Sequence, residues 1–136
     1  AKESNAALVG DKRYIIGGNN GNWLNTIDSL DLLTGKWKIE AKMSTTWNDP
    51  AVVSHGGIIY IYEKGKIFTF DIGKNEVKSY RVDLDVQGPD LHVWNGYLFI
   101  IGGYNEHLYT KKPIAGCFKI DLNQFDKTEI LERFTF

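Results

Sequence analysis

The sequence predicts an all-β protein built from three consecutive four-stranded antiparallel units. Three observations carry this. Short apolar runs such as Arg13-Tyr-Ile-Ile, Gly57-Ile-Ile-Tyr-Ile-Tyr and Tyr97-Leu-Phe-Ile-Ile are rich in β-branched and aromatic residues and bounded by glycine. Turn signals separate them every eight to twelve residues, among them Val9-Gly-Asp-Lys, Thr34-Gly-Lys, His55-Gly-Gly and Trp94-Asn-Gly. The strands also recur as a set.

That recurrence is read by aligning the second strands on Tyr14, Tyr60 and Phe99, which stand 46 and 39 residues apart. A short apolar strand precedes each one (Ala7-Leu-Val, Ala51-Val-Val, Leu91-His-Val). A third strand follows and ends on an apolar residue plus aspartate: Leu30-Asp31, Phe70-Asp71, Ile120-Asp121. Helical spacing is possible for Ile27-Asp-Ser-Leu-Asp-Leu-Leu, but Thr34-Gly35 cuts it short, so it reads as a strand. A fourth strand is expected near Trp37, Val77 and Lys127-Thr128. Four-stranded units repeating at about 40–50 residues are the signature of β-propeller blades. The unit boundaries fall near 6–46, 47–87 and 88–136.

Tyr14-Ile-Ile-Gly17-Gly18, then Leu30-Asp31, then Trp37 resembles a kelch repeat: hydrophobics with a double glycine, an aspartate, then tryptophan. The third unit repeats Phe99-Ile-Ile-Gly102-Gly103 and Ile120-Asp121 without the tryptophan. In the second, Glu63-Lys64 stands for the glycine pair and Val77 for the tryptophan. The two glycine pairs are 85 residues apart, twice the repeat length. Gly17, Gly18, Gly102 and Gly103 are expected to end a buried strand where side chains are resisted. Trp37 is expected to pack between neighbouring blades. The resemblance implies a kelch-type propeller whose blades form part of a closed ring.

Composition narrows the function. Sixteen basic against seventeen acidic residues leave no basic excess for nucleic acid or an anionic membrane. No apolar run approaches the ~18 residues of a membrane span. A single cysteine, Cys117, allows no intramolecular disulfide and no cysteine-based zinc site, and is expected to be buried and inert. Together these favour a reducing, cytoplasmic setting. His55, His92 and His107 lack the spacing of a metal pair. His55 reads as a surface turn residue, His92 as a core one and His107 as a loop residue. Asp31, Asp71 and Asp121 recur with the repeat, which marks turn formers and not a catalytic pair. The glycines of Gly17-Gly-Asn-Asn-Gly lack the following helix and lysine of a phosphate loop. Neither catalytic residues nor a metal or other cofactor is expected.

The candidate binding residues lie in loops. Connections from strand two to three, and from strand four to the next blade, open on the same rim of a four-stranded blade. In characterised kelch propellers that rim usually receives the partner. It would carry Asn20, Asn22 and Trp23, then Trp47, Asn48 and Asp49, then Gln87, then Tyr104, Asn105 and His107. Trp23, Trp47 and Tyr104 stand among polar residues, as interface hot spots do; the alternative is that one or more tuck back over the blade. The resemblance implies a scaffold for another protein, as in substrate-recognition modules of ubiquitin-ligase adaptors or actin-associated proteins. Its alternatives are a kelch-type oxidase or sugar isomerase, or a carbohydrate-binding propeller. An oxidase would need a tyrosine–cysteine–histidine group, and Cys117 has no evident partner for one.

Three blades are fewer than the four to eight of a closed ring. The missing blades would come from a longer chain or from a second copy meeting the first head to tail. Incomplete repeats, common within long propellers, favour the longer chain.

Overall fold

The computed structural model describes residues 5–17, 25–43, 46–47, 50–63, 65–82, 86, 88–105, 112–113, 117–123 and 130–135; residues 104–105, 112–113, 117 and 130–135 are described by their backbone alone. All regular structure among them is strand, apart from single helical turns. The first blade is β1 (Ala6–Val9), β2 (Lys12–Ile16), β3 (Thr26–Asp31) and β4 (Trp37–Lys42), paired in that order. The second is β5 (Ala51–His55), β6 (Ile58–Glu63), β7 (Lys66–Asp71) and β8 (Glu76–Arg81), also in order. The third joins β9 (Asp90–Trp94), β10 (Tyr97–Ile101) and β13 (Cys117–Asp121). Between the last two lies a separate ribbon of β11 (Tyr104–Asn105) and β12 (Lys112–Pro113). Every pairing is antiparallel.

One expectation fails at the end of the chain. A fourth strand was expected to close the third blade from Lys127-Thr128, residues that lie outside the described set. The last strand, β14 (Ile130–Thr135), instead pairs with β8, making the second sheet five-stranded. Val77 and Ser79 of β8 are buried on one face, so its backbone edge is the part left to accept another strand. Among the described residues the outer edge of β13 carries no strand. A cleft of about 170 Å³ opens beside Leu122, over Tyr60, Thr69, Lys78 and Tyr80 of the second blade.

The apolar pattern explains the stacking. In β6 and β7 the runs Ile59-Tyr-Ile-Tyr62 and Ile67-Phe-Thr-Phe70 are buried without alternation, because both faces of the middle sheet are covered. In β2, only Tyr14 and Ile16 are fully buried. One core joins Tyr14, Ile16, Ile27 and Ala41 of the first blade to Ile59, Ile61, Phe68, Phe70 and Val77 of the second. Tyr14 meets Phe70 edge-on at 6.3 Å. The other core joins Tyr60, Tyr62, Ile67 and Tyr80 of the second blade to Leu91, Leu98 and Ile100 of the third. Each blade therefore has a leading face, turned to the blade that follows it, and a trailing face.

The recurring aspartates are turn formers. Asp31 Oδ1 accepts the backbone N–H groups of Leu33 and Thr34 at 2.9 and 3.2 Å. Asp71 accepts that of Lys74 at 3.2 Å and Asp121 that of Asn123 at 2.9 Å. The short side chain supplies the acceptor that a reversing backbone lacks.

The glycine pairs serve a different need. Gly17, Gly102 and Gly103 have φ of 90°, 74° and 94°, where side chains other than glycine are strained. Gly18 lies outside the described residues. A Cβ on Gly102 would meet nothing within 4 Å, so the constraint there is the backbone and not a lack of space. In the second blade Glu63 pairs with Lys66, leaving a two-residue turn. The glycine pairs thus stand where the chain leaves the sheet for a long connection.

Trp37 does not lie between two of these blades. It pairs with Leu30 on the trailing face of the first blade and is 49% exposed. His92 is exposed, not a core residue, because it lies on the leading face of the third blade while its neighbour Leu91 is buried on the trailing face. His55 is exposed at the end of β5, beside its turn. The side chain of Cys117 lies outside what is described.

Replacing Gly102 with valine should lower the unfolding free energy by about 1–2 kcal/mol. Gly73→Ala should cost much less, since Gly73 has no left-handed φ and its Cβ would make an ordinary 3.6 Å contact with Asp71. Denaturant titration of both variants checks the difference.

Candidate functional site

The two rims of the stacked blades are unlike. One rim carries the tight reversals between the first two strands of each blade, with the turns at 32–36 and 72–75 beside them. Val9 pairs with Lys12, His55 with Ile58 and Trp94 with Tyr97, each across a two-residue turn. Asn95 and Gly96 both take positive φ, as such hairpins require. The other rim carries the segments between β2 and β3, β4 and β5, β8 and β9, and β10 and β13, together with the two-residue turn between β6 and β7. In the sequence, the candidate residues fall within these connections.

Trp47 is corrected by the structure. It was expected among exposed aromatics, but it is 4% exposed and sits in the core between the first two blades. Its ring meets Phe68 edge-on at 4.7 Å. An indole is large enough to cover the end of a core, and here that gain outweighs exposure as a contact residue. The indole N–H is buried and has no hydrogen-bond partner among the described residues.

The next connection repeats this arrangement with Val86, buried in the second core. Tyr62 donates its hydroxyl to the Val86 carbonyl at 2.7 Å and accepts the Val86 N–H at 3.3 Å. Each of these connections is thereby pinned by one apolar residue. Pro50 and Pro89, three residues further on in each, are buried as well. A signal for this stood in the sequence: Trp47 and Val86, and likewise Pro50 and Pro89, are 39 residues apart. That is the offset between Tyr60 and Phe99, so Trp47 belongs to the repeating framework.

The connection from β2 to β3 is also held at its base. Asn25 donates its side-chain amide to the Met43 carbonyl at 2.9 Å, and its own carbonyl accepts the Met43 N–H at 2.7 Å. Gly17 donates its N–H to the Thr26 carbonyl at 2.9 Å. Two rim connections therefore start from one fixed point. The third blade's connection begins with the β11–β12 ribbon, where Tyr104 pairs with Pro113 and Asn105 with Lys112. Asn20, Asn22, Trp23, Asn48, Asp49, Gln87 and His107 lie outside the described residues. The side chains of Tyr104 and Asn105 are not described either.

Burial raises the Tyr60 phenol above its usual range, with Tyr80 adding to it, and burial followed by the Glu40 charge raises that of Tyr14. Both rings are parts of the inter-blade cores. Among the described residues no three histidine, cysteine, aspartate or glutamate side chains group as a metal site. No helix there is long and apolar enough to cross a membrane.

Truncating Trp47 to alanine should therefore destabilise the fold by about 3 kcal/mol, as large-to-small changes in a core do. Thermal unfolding checks this; an unchanged midpoint would return Trp47 to the surface.

A comparison with protein-family models finds the Kelch motif at residues 2–44, which spans the whole first blade. A comparison with curated proteins finds no match. Kelch repeats generally mediate protein–protein interaction. The first blade thus carries a Kelch motif, and the second shares its strand order and turn aspartate.

Proposed function

We propose that this chain is a protein-interaction scaffold whose partner docks on the rim of long connections. The observation that carries the reading is the asymmetry of the two rims. Within the blades one side carries only turns of two to five residues, whereas the other side, apart from the two-residue β6–β7 turn, carries longer segments anchored at Gly17, Asn25, Trp47 and Val86. Rigid anchors beneath variable loops are what a recognition surface needs, since less conformational entropy is lost on binding.

Asn20, Asn22, Trp23, Asn48, Asp49, Gln87, Tyr104, Asn105 and His107 are the proposed contact residues. Trp47 acts below them as a support. The role would be that of a substrate-recognition module of a ubiquitin-ligase adaptor or of an actin-associated protein, acting in the cytoplasm. This finer assignment rests on analogy with other kelch proteins.

Affinity capture with purified chain, followed by mass spectrometry, tests the rim. Trp23→Ala and Tyr104→Ala should each weaken capture of the enriched partner by about 1 kcal/mol or more, with circular dichroism unchanged. Lys74→Ala, on the opposite rim, should not. Equal capture by all three variants would place the binding surface elsewhere.

A further inference from the structure

β14 stands at one sheet edge, while the repeat spacing points it to another. In the first two blades the residue before the turn aspartate pairs with the residue six places after it: Leu30 with Trp37, and Phe70 with Val77. Those pairs lie at the start of the fourth strand. Counted from Asp121, the same position is Lys127. Carried along the ladder, that register sets Ile130 opposite Cys117, on the outer edge of β13. The strand lies on the outer edge of β8 instead.

The seams show what a fourth strand contributes. Ile59, Phe70 and Val77 form one row across β6, β7 and β8, and all three enter the core shared with the first blade. The matching row of the third blade is Leu98 and Ile120, packed in the core shared with the second blade. Among the described residues that row ends at β13. The cleft of about 170 Å³ opens beside it, between Leu122 and the row Tyr60, Thr69 and Lys78 of the second blade. A strand added to β13 would cover this cleft, as Val77 covers its part of the first seam.

The pairing of β14 with β8 is a weak one. It sets Arg133 opposite Lys78, and like charges at one rung of an antiparallel ladder repel. The ladder also shifts register between Ile130 and Glu132, which interrupts the backbone pairing. The sheet of the first blade, with four strands, takes no fifth among the described residues. Either edge offers backbone hydrogen bonds of the same kind, so the side-chain repulsion and the burial gained over the cleft set the balance.

We propose that β14 exchanges between two sheet edges. On β8 it leaves the cleft open. On β13 it completes the third blade and closes the cleft.

Disulfide trapping in the 136-residue chain tests this, since directly opposed positions on antiparallel strands lie within reach of a disulfide. Ile130→Cys makes use of Cys117, the chain's one cysteine, and Leu131→Cys allows for a slip of one residue. In a Cys117→Ser background, Lys78→Cys combined with Arg133→Cys traps the pairing with β8. Under mild oxidation at low protein concentration, a disulfide from Cys117 to the new thiol should accumulate in most monomeric chains. The disulfide between positions 78 and 133 should do the same in its own variant. Amide exchange along β8 should rise several-fold when the strand is held on β13, and not when it is held on β8. A disulfide between positions 78 and 133 with none from Cys117 to either new thiol would mean a strand fixed on β8, and would overturn the proposal. A Cys117 disulfide without the other, or neither, would overturn it equally.

Discussion

A blade of this protein has no interior of its own. It is a single sheet of four short strands, and both of its faces would be wet if it stood alone. Stability must come from laying one sheet on the next, so that the apolar side chains of two faces form one core. Everything else follows from that contact. The middle blade, covered on both sides, uses unbroken apolar runs in β6 and β7. The end blades use alternation or expose what is left. The connections between blades must also come down onto the seams, which is why Trp47 and Val86 are buried where loop residues would ordinarily be solvated.

Polar groups are fitted around the same constraint. Ser29 donates its hydroxyl to Glu40 at 2.8 Å within the first seam, where a register shift in the β3–β4 ladder leaves Glu40 as the extra residue. Tyr62 satisfies both backbone groups of Val86 from inside the second seam. Asp31, Asp71 and Asp121 keep their hydrogen bonds within their own turns. The aspartate bonds span only two or three residues, so these turns form within each blade and do not depend on its neighbour's loops. That is the property a scaffold with a variable rim requires.

Much of this was legible in the sequence. The second strands and the turn aspartates lie at repeat spacing, and the structure places them in the predicted elements, with Gly17, Gly102 and Gly103 just past the ends of β2 and β10. The kelch resemblance was carried by Gly17-Gly18 with Asp31 and Trp37, within the stretch that the family comparison matches. Burial of individual side chains was harder to read. Trp47 looked like an exposed contact because its sequence neighbours are polar, and its covering role depends on Phe68, twenty-one residues away in the chain. His92 was misjudged because strand membership was recognised but the buried face was not, and a shift of one position reverses it. The place of β14 was unreadable for a related reason. Strand pairing at a sheet edge is decided by backbone groups, which the side-chain pattern does not encode.

The central claim is that the seams between blades, more than the blades themselves, hold the fold. Native-state amide hydrogen exchange measures this directly, strand by strand. The account predicts that β6 and β7, covered on both faces, exchange slowest and only with global unfolding. The exposed strand β4 and the open-edged strand β13 should exchange faster, through local opening. Equal protection of all three blades, or greater protection in β4 than in β7, would contradict it.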